Sequence, residues 1–240
     1  MQFRFLQIPL VVYLFICAIQ PTFSQNHKSP GEIIKLLDEQ YGIDQQLYRG
    51  VKYFPKVNII AGHAYLFESD FISSKMIYRQ KIYQPVLLKY DVELDQLVIK
   101  TPQKYGAEIE LVVDQQNIDA FWLGDKKFVK NTKDEIQGRF IQIISADSIA
   151  CMATYTKDFK LMKRGIKEGF GYTSKEAKYY IEINNTIKQL KTKRSLLKLL
   201  PQSYISPVKR YMSKQKNRFG KMTDDQWIQL FNYINGLHES

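Results

Sequence analysis

Between residues 75 and 156, runs of β-branched, aromatic and large apolar residues recur at spacings of about ten residues. The connections between them, at 91–95, 101–106, 124–125 and 146–147, are short and polar. Parallel strands need a crossover of a dozen or more residues, so the spacing predicts antiparallel pairing. The organising unit is Val86 to Ile99, which reads as two strands joined by a polar turn. Similar units on both sides predict strands over 75–80, 85–90, 96–100, 107–113, 118–123, 127–130, 139–145 and 148–156, with a last one over 179–183. Gly124-Asp125 suits a two-residue hairpin, because glycine accepts positive φ at the first central position, and Asn184-Asn185 supplies a further turn. The predicted class is α+β: a curved antiparallel meander, either an open sheet or an incomplete barrel, with one face that needs cover.

Cover is expected from helices at the two ends. Ser29-Pro30-Gly31-Glu32 is a capping box ahead of Ile33, Ile34, Leu36 and Leu37, which predicts a short N-terminal helix. Near the other end, the sequence predicts a helix over 192–200 stopped by Pro201. A second has Ser206 as N-cap, Pro207 at the first position and a stripe of Val208, Tyr211, Met212, Gln215 and Phe219. A third opens on the box Thr223-Asp224-Asp225-Gln226, carries Trp227, Leu230, Phe231 and Ile234 on one face, and stops at Gly236.

Residues 1–24 hold one charge, Arg4, an apolar run from Ile8 to Ile19 and a small-x-small ending at Thr22-Phe23-Ser24. That is the pattern of a cleaved secretory signal peptide; the apolar core is shorter than the roughly 20 residues a spanning helix needs. Ile16 is too bulky before Cys17 for a lipidation signal. Removal of Cys17 leaves Cys151 alone, so no intramolecular disulfide is expected and stability must come from an ordinary core. A hydrophobic content of 45% with 13% aromatic excludes disorder. The expected organisation is a signal peptide at 1–24, a helix and lead-in at 25–50, a β domain at 51–185 and a basic helical segment at 186–240.

The net charge of +11 is unevenly placed. Residues 151–240 carry 18 basic and 7 acidic side chains, whereas residues 25–150 carry 16 and 17. No acid occurs between Glu182 and Asp224, a stretch with 11 basic residues. Lys191, Lys193, Arg194, Lys198, Lys209, Arg210, Lys214, Lys216 and Arg218 are therefore the candidate anion-binding residues, with Lys188 and Lys221 flanking them. The partner such a face implies is an anionic membrane surface, an envelope glycolipid or an acidic protein; the bland alternative is a solvated face that confers solubility. Nucleic acid is excluded by the expected exported compartment and by the lack of a recognisable nucleic-acid-binding signature.

Catalytic and metal signatures are scarce. Asp91-x-Glu93-x-Asp95 starts like a calcium loop, but Gln96 and Pro102 stand where an EF-hand needs glycine and glutamate, so it reads as a charged turn. His27, His63 and His238 are scattered. Cys151 with His63 could form a nucleophile and its base, yet Cys151 lies in the apolar run Ile149-Ala150-Cys151-Met152-Ala153 and reads as a small buried hydrophobe. Glu108 and Glu110 share a strand face and read as its wet side. No phosphate loop, nucleophile elbow or zinc spacing occurs, and no cofactor is expected. The expectation is a non-catalytic exported protein; the alternative is an envelope hydrolase whose site is assembled from scattered carboxylates.

Three segments in order, Ile59-Ile60-Ala61-Gly62-His63-Ala64-Tyr65, Val86-Leu87-Leu88-Lys89-Tyr90-Asp91 and Lys193-Arg194-Ser195-Leu196-Leu197-Lys198-Leu199-Leu200, resemble a family of uncharacterised exported proteins of Bacteroidota-type bacteria. Ala64 and Leu66 replace the proline and phenylalanine usual in its first motif. The resemblance implies an exported α+β protein and assigns no catalytic residue.

Overall fold

The computed structural model describes Ser29 and residues 47–67, 70–101, 107–215 and 218–237. The expected signal peptide, the N-terminal helix and its capping box lie outside them, apart from Ser29. The described residues from 47 on belong to one compact unit, Asp44–Ser240. Its centre is an open, wholly antiparallel sheet of eleven strands in the order β1-β5-β4-β3-β2-β6-β7-β8-β9-β12-β13. The strands are β1 (Val51–Lys52), β2 (Ile72–Tyr78), β3 (Lys81–Asp91), β4 (Gln96–Lys100), β5 (Glu110–Val112), β6 (Ile118–Leu123) and β7 (Lys126–Lys130). They continue with β8 (Phe140–Ser145), β9 (Ala150–Thr156), β12 (Glu176–Ile183) and β13 (Thr186–Gln189). Between β9 and β12 the chain leaves the sheet as a separate hairpin, β10 (Phe159–Arg164) and β11 (Lys167–Tyr172).

The Val86–Ile99 unit is the β3–β4 hairpin, with Tyr90 opposite Leu97 and Leu88 opposite Ile99. Gly124 turns β6 into β7 at φ +65°, and Asn184 and Asn185 turn β12 into β13 at φ +48° and +59°. Strand β3 begins at Lys81, ahead of Pro85. Proline lacks an N–H to donate to a ladder, and here it sits where the β2 register slips between Ser74 and Met76, so the irregularity absorbs it.

The sheet is strongly curled. Strands β3 and β8 are four places apart in the order, about 19 Å on a flat sheet at ~4.8 Å per step. Yet the Tyr90 ring lies 5.8 Å from the Phe140 ring, and also 5.5 Å from Phe121 on β6 and 5.8 Å from Phe128 on β7. These rings mark the concave face. Leu88, Leu97, Ile99, Cys151, Ala153, Tyr155 and Ile181 join them there by the alternation of the strands.

Three C-terminal helices fill that face: α1 (Lys193–Leu199), α2 (Gln202–Lys214) and α3 (Asp224–Gly236). Leu196 and Leu197 of α1, Val208 and Met212 of α2, and Trp227, Leu230, Phe231 and Ile234 of α3 are all in the main core. Helix α3 opens on the expected capping box between Thr223 and Gln226, and α1 has a box of Thr192 with Ser195. None of the described helices is long and apolar enough to cross a membrane.

Helix α2 differs from expectation. It starts at Gln202, so Ser206 is not its N-cap, and Pro207 sits inside it. The reason is packing: Tyr204 and Ile205 lie against the core one turn ahead of Val208. Their burial extends the helix backward through a proline whose missing N–H would have bonded the Ser203 carbonyl.

The convex face has smaller clusters, one of Ile136, Ile141, Met152, Tyr180 and Ile187, the other of Tyr53, Tyr65 and Val98. The second belongs to a strap, residues 53–66, that runs from the β1 edge. Its far end pairs with β3, Leu66 N–H donating to the Tyr90 carbonyl at 2.9 Å and Val92 N–H to the Ala64 carbonyl at 3.0 Å. Its middle pairs with β11, through Ile60 N–H to the Phe170 carbonyl and Tyr172 N–H to the Ala61 carbonyl, both 2.9 Å. The sheet itself is not closed; outside its ladder the strap links β3 to the β10–β11 hairpin.

Candidate functional site

Helices α1 and α2 turn their apolar stripes to the core and leave their lysines and arginines outside. Lys191, Arg194, Lys198, Lys209, Arg210, Lys214 and Arg218 are exposed, and Lys193 is half-buried; Lys216 lies outside the described residues. None of these eight has a carboxylate of a described residue within ion-pair distance. Tyr211 stacks on Tyr233 of α3 with ring centroids 4.3 Å apart, which fixes the rotation of α2 and keeps Lys209, Arg210 and Lys214 outward. Arg194, Lys198, Lys209, Arg210 and Lys214 thus stand on exposed helix surface, with Lys191 and Arg218 exposed just outside the helices.

A second arrangement escaped the sequence reading. Asp224, in the first turn of α3, accepts from the Tyr155 hydroxyl at 2.9 Å and the Tyr179 hydroxyl at 2.8 Å through the same oxygen. Its other oxygen lies 3.6 Å from Lys126 Nζ. Burial first, then the Asp224 charge, pushes both phenols well above their ordinary range, so each is held as a donor. An open cleft of about 520 Å³ lies beside this group, walled by Lys126, Lys175, Tyr179, Lys221 and Asp225. Both Asp224 oxygens are engaged, which makes it an anchor of α3 on β9 and β12. The legible signal was Thr223-x-x-Gln226, which placed Asp224 in a first helical turn but could not show which tyrosines would meet it.

The acidic turn 91–95 is structural. Asp91 is 1% exposed; one oxygen accepts from the backbone N–H groups of Glu93 and Leu94 at 3.0 Å each, the other from the Tyr53 hydroxyl at 2.7 Å. Asp95 accepts from the Tyr90 hydroxyl at 2.5 Å and from the Arg139 backbone N–H, and Glu93 pairs with Lys56 at 2.7 Å. Among the described residues no group of three or more His, Cys, Asp and Glu side chains is placed to hold a metal ion.

Cys151 is fully buried in the main core, and burial drives its thiol well above the ordinary range. His63 sits on the strap, its ring stacked on Tyr65 at 5.8 Å. Glu108 is exposed and paired with Lys100, and Glu110 lies 3.6 Å from Lys89. No family model, no curated protein and no solved structure matches this chain.

Proposed function

We propose that the chain is an exported, non-catalytic envelope protein that docks through α1 and α2 on an anionic partner: a membrane surface, a glycolipid or an acidic protein. The observation that carries this reading is the set of exposed cations on these two helices and the segment after them, none ion-paired to a described carboxylate. Each lysine or arginine near an anionic bilayer contributes about 1 kcal/mol, decaying within a Debye length. The apolar leader at residues 1–24 and the resemblance to exported proteins support the compartment.

The test is co-sedimentation with phosphatidylglycerol-containing and with neutral vesicles over a salt series. A variant with Lys191, Lys193, Arg194, Lys209, Arg210 and Lys214 changed to glutamine runs beside the native protein. Binding to anionic vesicles that weakens with salt and falls at least tenfold in the variant is expected. Equal binding by both proteins would refute the docking face.

A second reading, an envelope hydrolase, draws on the cleft beside Asp224. It expects Asp224→Asn to abolish a hydrolytic activity of the native protein without unfolding it.

A further inference from the structure

The β10–β11 hairpin stands outside the main sheet and is held at its base. The strap pairs with β11 at Phe170 and Tyr172, and two glycines let it approach. A Cβ on Gly169 would come within 2.9 Å of the Ile60 side chain, and one on Gly171 within 2.9 Å of the Ala61 carbonyl oxygen. Lys56 Nζ lies 4.2 Å from the centroid of the Phe159 ring at the same end. An isolated two-stranded hairpin is marginal in water, so these contacts are what hold the stem.

Beyond the stem, apolar side chains are left in solvent. The turn is Gly165-Ile166, with Gly165 at φ +63° and Ile166 fully exposed. Leu161 and Phe170 face one another across the strands and are 56% and 52% exposed. Lys160, Lys163, Arg164 and Lys167 lie on the same hairpin, all exposed and none ion-paired to a described carboxylate. Asp158 and Glu168 are the acids of the hairpin, so cations predominate. A fully exposed isoleucine at a tight turn, with a cross-strand apolar pair behind it, is a candidate contact surface.

We propose that this hairpin is an interfacial membrane anchor: it lies along an anionic bilayer with Ile166, Leu161 and Phe170 in the headgroup–acyl boundary. Cross-strand partners share a face, so Leu161 and Phe170 enter together. Lys163 lies on that face too, opposite Glu168, and Arg164 and Lys167 form a pair on the other. Their long stems reach along the apolar surface and put the charges among lipid phosphates. The collar of cations selects lipid over a second copy of the chain. A two-fold pairing of two hairpins would set this cationic patch against itself, whereas anionic headgroups neutralise it. The anchor uses none of the residues of the helical face, and the two can fail separately.

The test uses the full chain and vesicles of phosphatidylglycerol with phosphatidylcholine. In Ile166→Trp, read against native protein whose Trp122 and Trp227 give the background, vesicles should shift the emission of the introduced indole to the blue, and brominated acyl chains should quench it. Ile166→Ser should cut the bound fraction about tenfold or more at about 1 M salt, where a screening length of about 3 Å silences the helical and hairpin charges alike and leaves the apolar contact. The glutamine variant of α1 and α2 combined with Ile166→Trp should keep the quenching in whatever fraction remains bound. Ile166 touches no core, so both substitutions leave the far-ultraviolet circular dichroism unchanged. Unshifted, unquenched emission on vesicles at low salt would overturn the proposal. So would Ile166→Ser that binds lipid like the native chain, or that changes only self-association in sedimentation velocity, which would assign the hairpin to a second copy.

Discussion

Asn235 shows how much one side chain settles. Near the end of α3 its amide donates to the carbonyls of Ile149 and Phe231, both at 3.0 Å, and its oxygen accepts from the Ile149 N–H at 3.0 Å. Both backbone groups of Ile149, a residue 5% exposed between β8 and β9, thus depend on a residue 86 positions away. Alanine would leave two buried polar groups unmet, at about 1–3 kcal/mol each. Asn235→Ala is expected to lower the unfolding free energy by about 2–4 kcal/mol in urea titrations, and Asn235→Asp, which keeps the acceptor, by about half as much. Asp91 is a buried carboxyl whose environment opposes its charge. Burial raises its carboxyl, while the Leu94 N–H, the Tyr53 hydroxyl and the Glu93 N–H pull the other way. With the folded value above an unfolded one near ~3.9, the native state holds the proton more tightly. This site therefore makes stability fall as pH rises from the unfolded to the folded value, and the loss persists at neutral pH. Unfolding titrations at acidic and neutral pH should show Asp91→Asn without that component; a native and a variant curve that run parallel would refute it.

At the scale of elements, strands whose apolar alternation is intact were legible and those shaped by a neighbour were not. The ranges 96–100 and 118–123 coincide with β4 and β6. No strand is legible over 157–175, where Lys, Gly and Arg dilute the pattern, and the hairpin β10–β11 lies there. Its glycines are dictated by the strap, a tertiary fact with no local signature. Helix α2 hid its true start for a similar reason, since Tyr204 and Ile205 outweigh a proline. The cationic face was legible because charge and helical period are both written in the sequence. The Asp224 anchor was not, because it joins residues from three elements. Helix α3 is the element on which the core depends: Trp227, Leu230, Phe231 and Ile234 are each 1% exposed or less. Phe231→Ala is expected to cost about 3–5 kcal/mol, read as a lowered urea midpoint with an unchanged slope. A loss under about 1 kcal/mol would mean that the sheet holds its curl without the helix.

For the whole molecule, the open question in the sequence was whether the meander closes. The sheet stays open and keeps β1 and β13 as edges, while the strap spans the gap between the β3 side and the hairpin. Lys157 clamps it by donating to the carbonyls of His63 at 3.0 Å and Tyr65 at 2.5 Å. Gly62 turns the strap at φ +70°, directly against the Tyr172 carbonyl, which a Cβ would meet at 2.8 Å. The close approach at Gly171 gives this linkage a test. In Gly171→Ala the new methyl would meet the Ala61 carbonyl oxygen at 2.9 Å, a backbone atom that can yield only by moving the strap. Because the strap's backbone pairs with β11 and with β3 at separate points, the first pairing should open and the second hold. Hydrogen exchange in the variant is expected to lose protection at the Ile60 and Tyr172 amides, which bond across strap and β11. The Leu66 and Val92 amides, which bond strap to β3, should keep theirs. Loss of protection at all four would mean that strap and sheet open as one unit, and the hairpin would then owe its position to the whole circuit rather than to its own stem.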